Sequence, residues 1–159
     1  MRKEERTHAS IFQKCTNEGS FRVLSEIDID LIQTLYNIAM RDLKTVKKWS
    51  AQTGEKDEDW NIILKAGYDV LHCITEAFIY FDKIKVERHE CLFVHIIEKH
   101  PELDFDWNFL DRIRTVRNRS IYYGRPATYE DWKSIEFQLN LYINTLKKKV
   151  EEKLKETVP

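Results

Sequence analysis

Apolar residues recur three and four positions apart through most of the chain. From about Asp28 to Trp49 they fall at Ile32, Leu35, Tyr36, Ala39, Leu43 and Val46, the spacing of one buried helix face. Ala51-Gln52-Thr53-Gly54 ends that run. A second helix is predicted behind Asp57, Glu58 and Asp59, whose negative charge suits a helix N-terminus; it runs through Ile63, Leu64, Gly67, Tyr68, Leu71, Ile74, Phe78 and Phe81. A third spans about Glu87 to Lys99 and stops near Pro101, because His100 precedes a proline and is biased out of the α region. A fourth begins near Asp106, carries Leu110, Ile113, Arg117 and Ile121, and is halted by Gly124 and Pro126. Thr128-Tyr129-Glu130-Asp131 resembles a capping box with Asp in the last place. The helix behind it continues through Ile135, Leu139, Tyr142, Ile143, Leu146, Val150 and Leu154.

Five helices on short connectors, with no strand of any length competing, predict an all-α fold: an antiparallel up-and-down bundle of four to five helices. Residues 1–22 are polar and mixed, with only Ile11 and Phe12 to anchor the first twenty, and are expected to be loosely ordered. Residues 23–159 form the single helical-bundle domain. At 159 residues the chain is long enough to bury a real core. Only four Gly and three Pro against 33% charged residues fit long amphipathic helices better than a loop-rich β fold.

A net charge of −1 advertises neither nucleic acid nor a membrane surface, and no apolar run approaches a bilayer-spanning length. Three cysteines, odd in number and with no CxxC among them, point to a reducing compartment, with Cys73 as a small core filler. A cytoplasmic location follows as the expectation. His72, His89, His95 and His100 with Glu76, Glu90 and Glu98 invite a metal reading, but the helical pairs His72-x-x-x-Glu76 and His95-x-x-Glu98 do not supply the Glu-x-x-His that a di-iron bundle takes from two helices. No glycine-rich phosphate loop, Ser-His-Asp order or zinc-type Cys/His spacing is present. Neither metal nor cofactor is expected.

Charge distribution is more telling than net charge. Arg112, Arg114, Arg117, Arg119 and Arg125 lie within fourteen residues. On a helical wheel Arg112 and Arg119 project opposite the apolar stripe, as solvated residues should. Arg117 instead shares the stripe of Leu110, Ile113 and Ile121. A guanidinium cannot shed its proton, and leaving it unpaired in an apolar site costs several kcal/mol. Arg117 therefore pairs inside the bundle, with Glu76 and Asp69 of the second helix as partners, or it faces a second subunit or an anionic ligand. Asn118 stands beside it, and Tyr122 and Tyr123 sit where the chain leaves the helix. An Arg, an amide and phenol hydroxyls make a phosphate-binding set, since guanidinium matches phosphate oxygens bidentately.

The segment from Tyr68 to Thr128 resembles the HEPN domain family, whose members end one helix with Arg-Asn-x-x-x-His. The resemblance includes Gly67-Tyr68-Asp69-Val70-Leu71 through Phe81, His89-Glu90 opening the next helix, Leu110-Asp111-Arg112-Ile113-Arg114 leading into Arg117-Asn118, and Gly124 before the last helix. It implies a helical bundle that pairs into homodimers, with the motifs of both subunits meeting at a shared cleft. Many members are metal-independent RNases, often toxins paired with a nucleotidyltransferase-type antitoxin; others bind RNA, nucleotides or a partner protein without catalysis. In active members the motif histidine helps to activate the ribose 2′-hydroxyl while the arginine steadies the phosphate. Tyr122 stands at the histidine's place here, and phenols, titrating ordinarily near pH 10, are poor general bases where imidazole is well suited. Gly124 replaces the tyrosine that some antitoxins modify.

The expectation is thus a homodimeric binding module for RNA, a nucleotide or a partner protein, with ligand contacts from Arg114, Arg117, Asn118, Tyr122 and Tyr123. The alternative is a metal-independent endoribonuclease in which Arg117 and Tyr122 are the catalytic pair, with a nucleotidyltransferase-type protein as its partner.

Overall fold

A computed structural model describes residues 7–157. Six helices run through the described residues: α1 (His8–Asn17), α2 (Ile29–Gln52), α3 (Trp60–Ile79), α4 (His89–Lys99), α5 (Trp107–Tyr122) and α6 (Tyr129–Thr157). Two three-residue strands, β1 (Phe21–Val23) and β2 (Ile84–Val86), pair antiparallel with Arg22 opposite Lys85. Short 3-10 turns at Tyr80–Asp82 and Pro101–Leu103 close α3 and follow α4. The fold is all-α, a helical bundle with one small ribbon at its edge.

The helix boundaries have local causes. Asp28 caps α2 by accepting from the Leu31 N–H at 2.9 Å, and Asp106 caps α5 by accepting from the Asn108 N–H at 2.9 Å. At α6 the Asp131 N–H donates to Thr128 Oγ1 (3.3 Å) while the Thr128 N–H donates to Asp131 Oδ2 (3.0 Å), a reciprocal capping box with the shorter acid. His100 leaves the helical region ahead of Pro101 (φ −128°, ψ 58°). Gly124 ends α5 with φ +60°, a left-handed conformation that costs a residue with a Cβ roughly 1–2 kcal/mol.

The core is organised around α3, which buries Ile63, Leu64, Gly67, Tyr68, Leu71, Ile74 and Phe78 between α2 on one side and α6, α4 and α5 on the others. Helix α6 contributes Trp132, Ile135, Leu139, Ile143 and Leu146. Gly67 faces α6 directly: a Cβ there would lie 3.0 Å from both Leu139 and Trp132 side-chain atoms.

Two features differ from the sequence expectation. Of the 1–22 segment expected to be loosely ordered, residues 1–6 lie outside the described residues; the rest holds α1, whose buried Ile11 and Cys15 pack against α4. A ten-residue helix with so short an apolar stripe is stable only through such tertiary contact, which periodicity cannot register. Cys15 and Cys91 are also disulfide-bonded across 76 residues. An odd cysteine count leaves room for one pair, so the bond removes the basis on which a reducing compartment was expected. Cys73 is the free thiol; it is partly buried and donates to the Leu35 carbonyl at 3.3 Å. No helix among the described residues is long and apolar enough to cross a membrane.

Candidate functional site

Helix α5 leaves the core as it runs. Leu110 and Ile113 are fully buried, Arg117 one turn further is half-buried, and Ile121 is 47% exposed. The stripe that suggested burial of Arg117 therefore carries it to the core's rim. There α5 faces the middle of α3 and the start of α4, and a cleft of about 320 Å³ opens between them, with Tyr68, His89, Arg114, Arg117, Asn118 and Tyr122 in its walls.

Arg117 takes neither carboxylate the sequence offered. Glu76 lies one turn beyond His72 on α3, 4.0 Å from His72 Nδ1, and feels Lys85 and Tyr80 rather than Arg117. Asp69 occupies an exposed position of α3. Among the described residues, no carboxylate is within ion-pair distance of Arg117. Its guanidinium instead lies over the Tyr68 ring, 5.3 Å from the centroid, a cation–π contact worth about 0.5–2 kcal/mol, and donates to Asn118 Oδ1 at 3.2 Å. The Nε atoms of Arg114 and Arg117 are buried and have no hydrogen-bond partner among the described residues. Asn118 thus holds the guanidinium edge-on, Tyr68 supports its face, and donor capacity remains.

The neighbouring arginines are settled differently. Arg114 donates to Asp111 Oδ1 at 2.8 Å and lies 3.8 Å from Glu90 Oε1. Arg88, at the cleft's edge, pairs with Glu18. Arg119 reaches Asp131 of α6 at 3.3 Å, and Arg112 bonds the Ser134 carbonyl at 3.1 Å from an exposed position. Of these five, Arg112 and Arg117 lack a carboxylate among the described residues, and of the two only Arg117 lines the cleft.

Two histidines complete the site. Tyr68 Oη and His89 Nδ1 are 3.1 Å apart, and the His72 and His89 rings stack with centroids 4.0 Å apart. Burial, then the His89 and Arg117 charges, bring His72 down from 6.5 to about 4. Burial and Arg117 likewise lower His89, against the opposing pull of Asp69. Burial pushes the Tyr68 phenol up, although Arg117 and Arg114 favour its ionised form. Near neutrality the cleft thus holds the neutral His89 imidazole, backed by His72, and a neutral phenol beside the Arg117 guanidinium, with Arg88 and the Glu90 carboxylate also in its walls. It can bind an anion, and it has a base-competent nitrogen within reach of that anion.

Four of the five residues singled out from sequence line this cleft: Arg114, Arg117, Asn118 and Tyr122. Tyr122 is 72% exposed and forms its rim, while Tyr123 follows the last helical residue, 77% exposed, outside the walls. Sequence reasoning set Tyr68 aside as core, because its helical spacing is that of a buried residue. It weighed His72 only as a metal ligand, and His89 as a metal ligand and as part of the family resemblance, not as a cleft residue beside Arg117. Asp69, His72 and Arg117 could have been linked only through the packing of α3 on α5. Comparison with known proteins finds no family model, no curated protein and no solved structure that this chain matches.

Proposed function

We propose that the chain is a HEPN-like module whose cleft binds the phosphate of RNA or of a nucleotide, without catalysis. The observation that carries this reading is Arg117: a half-buried guanidinium, held in place by Tyr68 and Asn118, with no carboxylate partner and a buried unbonded Nε among the described residues. A fixed cation whose donors are left open is matched by phosphate oxygens, to which guanidinium bonds bidentately. Arg114, one turn earlier and already paired with Asp111, lines the same cleft, and Tyr122 offers a ring and hydroxyl at the mouth. The homodimer belongs to the same reading. Ile121, Tyr122 and Tyr123 form an exposed apolar and aromatic rim that a second copy would cover, bringing two clefts together about a two-fold axis.

The reading is tested by anisotropy of a labelled RNA oligonucleotide titrated at several salt concentrations. Affinity should fall as salt rises, because neutralised phosphates release counterions. Arg117→Ala should weaken binding at least about tenfold, the equivalent of one charge-assisted hydrogen bond. Salt-independent or absent binding of both RNA and nucleotides would redirect the cleft towards a partner protein.

His89 favours a second reading, a metal-independent endoribonuclease. Its imidazole stays neutral near pH 7 and lies in the cleft wall beside Arg117, so it could take the 2′-hydroxyl proton that a phenol at position 122 is poorly suited to accept. A toxin role, with a nucleotidyltransferase-type partner, goes with this alternative. RNA cleavage lost in both Arg117→Ala and His89→Gln would establish it over the binding module; the module reading expects no cleavage above the Arg117→Ala control.

A further inference from the structure

Towards the other end of α4 from the cleft, three ligand atoms converge. Asp82 Oδ2, at the end of the turn that closes α3, lies 3.3 Å from His95 Nε2 of α4 and 2.6 Å from His100 Nε2. The three atoms fall within 4.8 Å of one another. His100 turns its other nitrogen, Nδ1, to Glu102 Oε1 at 2.9 Å. The rings are fixed from outside, Phe78 edge-on to His100 at 4.7 Å and Phe21 against His95 at 5.4 Å. The side chain of His95 is 6% exposed, that of His100 13% and that of Asp82 26%, so the cluster is closed at the imidazoles and open at the carboxylate.

We infer that Asp82, His95 and His100 form a binding site for one divalent transition-metal ion, zinc being the best match, with Glu102 as the residue that orients His100. Four features carry this. Two imidazoles and one carboxylate are the donor set of zinc and related sites that keep a further position for water. Metal–ligand bonds of about 2.0–2.2 Å at a tetrahedral centre put neighbouring ligand atoms about 3.3 Å apart. The Asp82–His95 separation already has that value, and His100 need draw back from Asp82 by less than an ångström. A histidine that gives its second N–H to a carboxylate is the usual arrangement behind a metal ligand, since it fixes the tautomer and raises the basicity of the nitrogen facing the ion; Glu102 does this for His100. Finally, two carboxylates around two imidazoles balance a dication.

The backbone is shaped for the same end. Among the described residues, the two non-glycine residues with left-handed φ, Lys83 (+57°) and Asp104 (+54°), directly follow the two 3-10 turns, one carrying Asp82 and the other opening just after His100 and carrying Glu102. Each costs about 1–3 kcal/mol and is kept where surrounding structure demands it. An ion here would pin the end of α3, the body of α4 and the turn after it to one point. Sequence spacing hid the set: His95 and His100 are five apart, off any single helix face, and Asp82 comes from another element.

The test is zinc titration of the full chain, stripped with chelator, by calorimetry, with cobalt(II) substitution read by visible absorption. One ion per chain is expected, with a nitrogen- and oxygen-ligated cobalt spectrum that lacks thiolate charge transfer. Asp82→Asn and His100→Gln should abolish saturable uptake, Glu102→Gln should weaken it about tenfold, and His8→Gln should leave it unchanged. Circular dichroism checks that each variant folds; should the ligand variants fail to, the partly exposed Glu102→Gln decides alone. Absence of saturable uptake by the wild-type chain, or uptake indifferent to these substitutions, would overturn the site.

Discussion

His72 shows how the cleft's residues constrain one another. It is enclosed by Tyr68, His89 and Phe93 rings, faces the Arg117 charge, and has Glu76 4.0 Å away on its own helix. Its folded-state pKa of about 4 lies below the ordinary 6.5, so the unfolded chain takes up the proton first. The stability from keeping His72 neutral is therefore complete above about pH 6.5 and is lost as pH falls towards 4, by at most about 3 kcal/mol. His89, shifted the same way, adds to the slope. Urea unfolding between pH 7 and 4 should show this limb, and His72→Gln should flatten it; an unchanged slope in that variant would mean His72 is solvated. Arg117 itself was legible as an anomaly because a cation in an apolar stripe is visible in sequence alone. That its stripe emerges from the core at Arg117, and that Tyr68 rather than Asp69 or Glu76 meets it, depends on the angle at which α5 crosses α3.

At the scale of elements, the long helices followed from periodicity, and their ends from capping chemistry at Asp28, Asp106, Thr128 and Gly124. These signals are local, so the sequence carries them. Helix α1 was not legible, because its stability resides in contacts with α4 and in the Cys15–Cys91 bond. Closing a loop of 76 residues restricts the unfolded chain by about 4 kcal/mol. Cys15→Ala should accordingly lower the unfolding free energy from urea denaturation by an amount of that order, and hydrogen exchange of α1 amides should rise first. A variant as stable as the parent, with α1 still protected, would assign α1's order to packing alone. Gly67 gives the complementary case: Gly67→Leu drives a branched side chain into Leu139 and Trp132 and should cost at least about 1–3 kcal/mol through overpacking.

At the scale of the molecule, the proposed dimer makes a spatial claim. If the rim of Ile121, Tyr122 and Tyr123 meets its copy, Tyr122→Glu should shift sedimentation at micromolar concentration from dimer to monomer. Phe137→Glu, at the 83% exposed aromatic of α6, should not. A wild-type chain that is strictly monomeric there would remove the shared cleft and leave each site to act alone.

The central claim is that the cleft beneath Arg117 holds phosphate because that arginine is structurally fixed and chemically unspent. The most direct measurement compares RNA affinity at low salt for Arg117→Ala and Arg112→Ala, two charge deletions on one helix that differ in where the charge sits. The account expects Arg117→Ala to lose at least about tenfold and Arg112→Ala, exposed and turned to α6, to lose little. Equal losses in the two variants would contradict it, because binding would then follow net charge rather than the cleft.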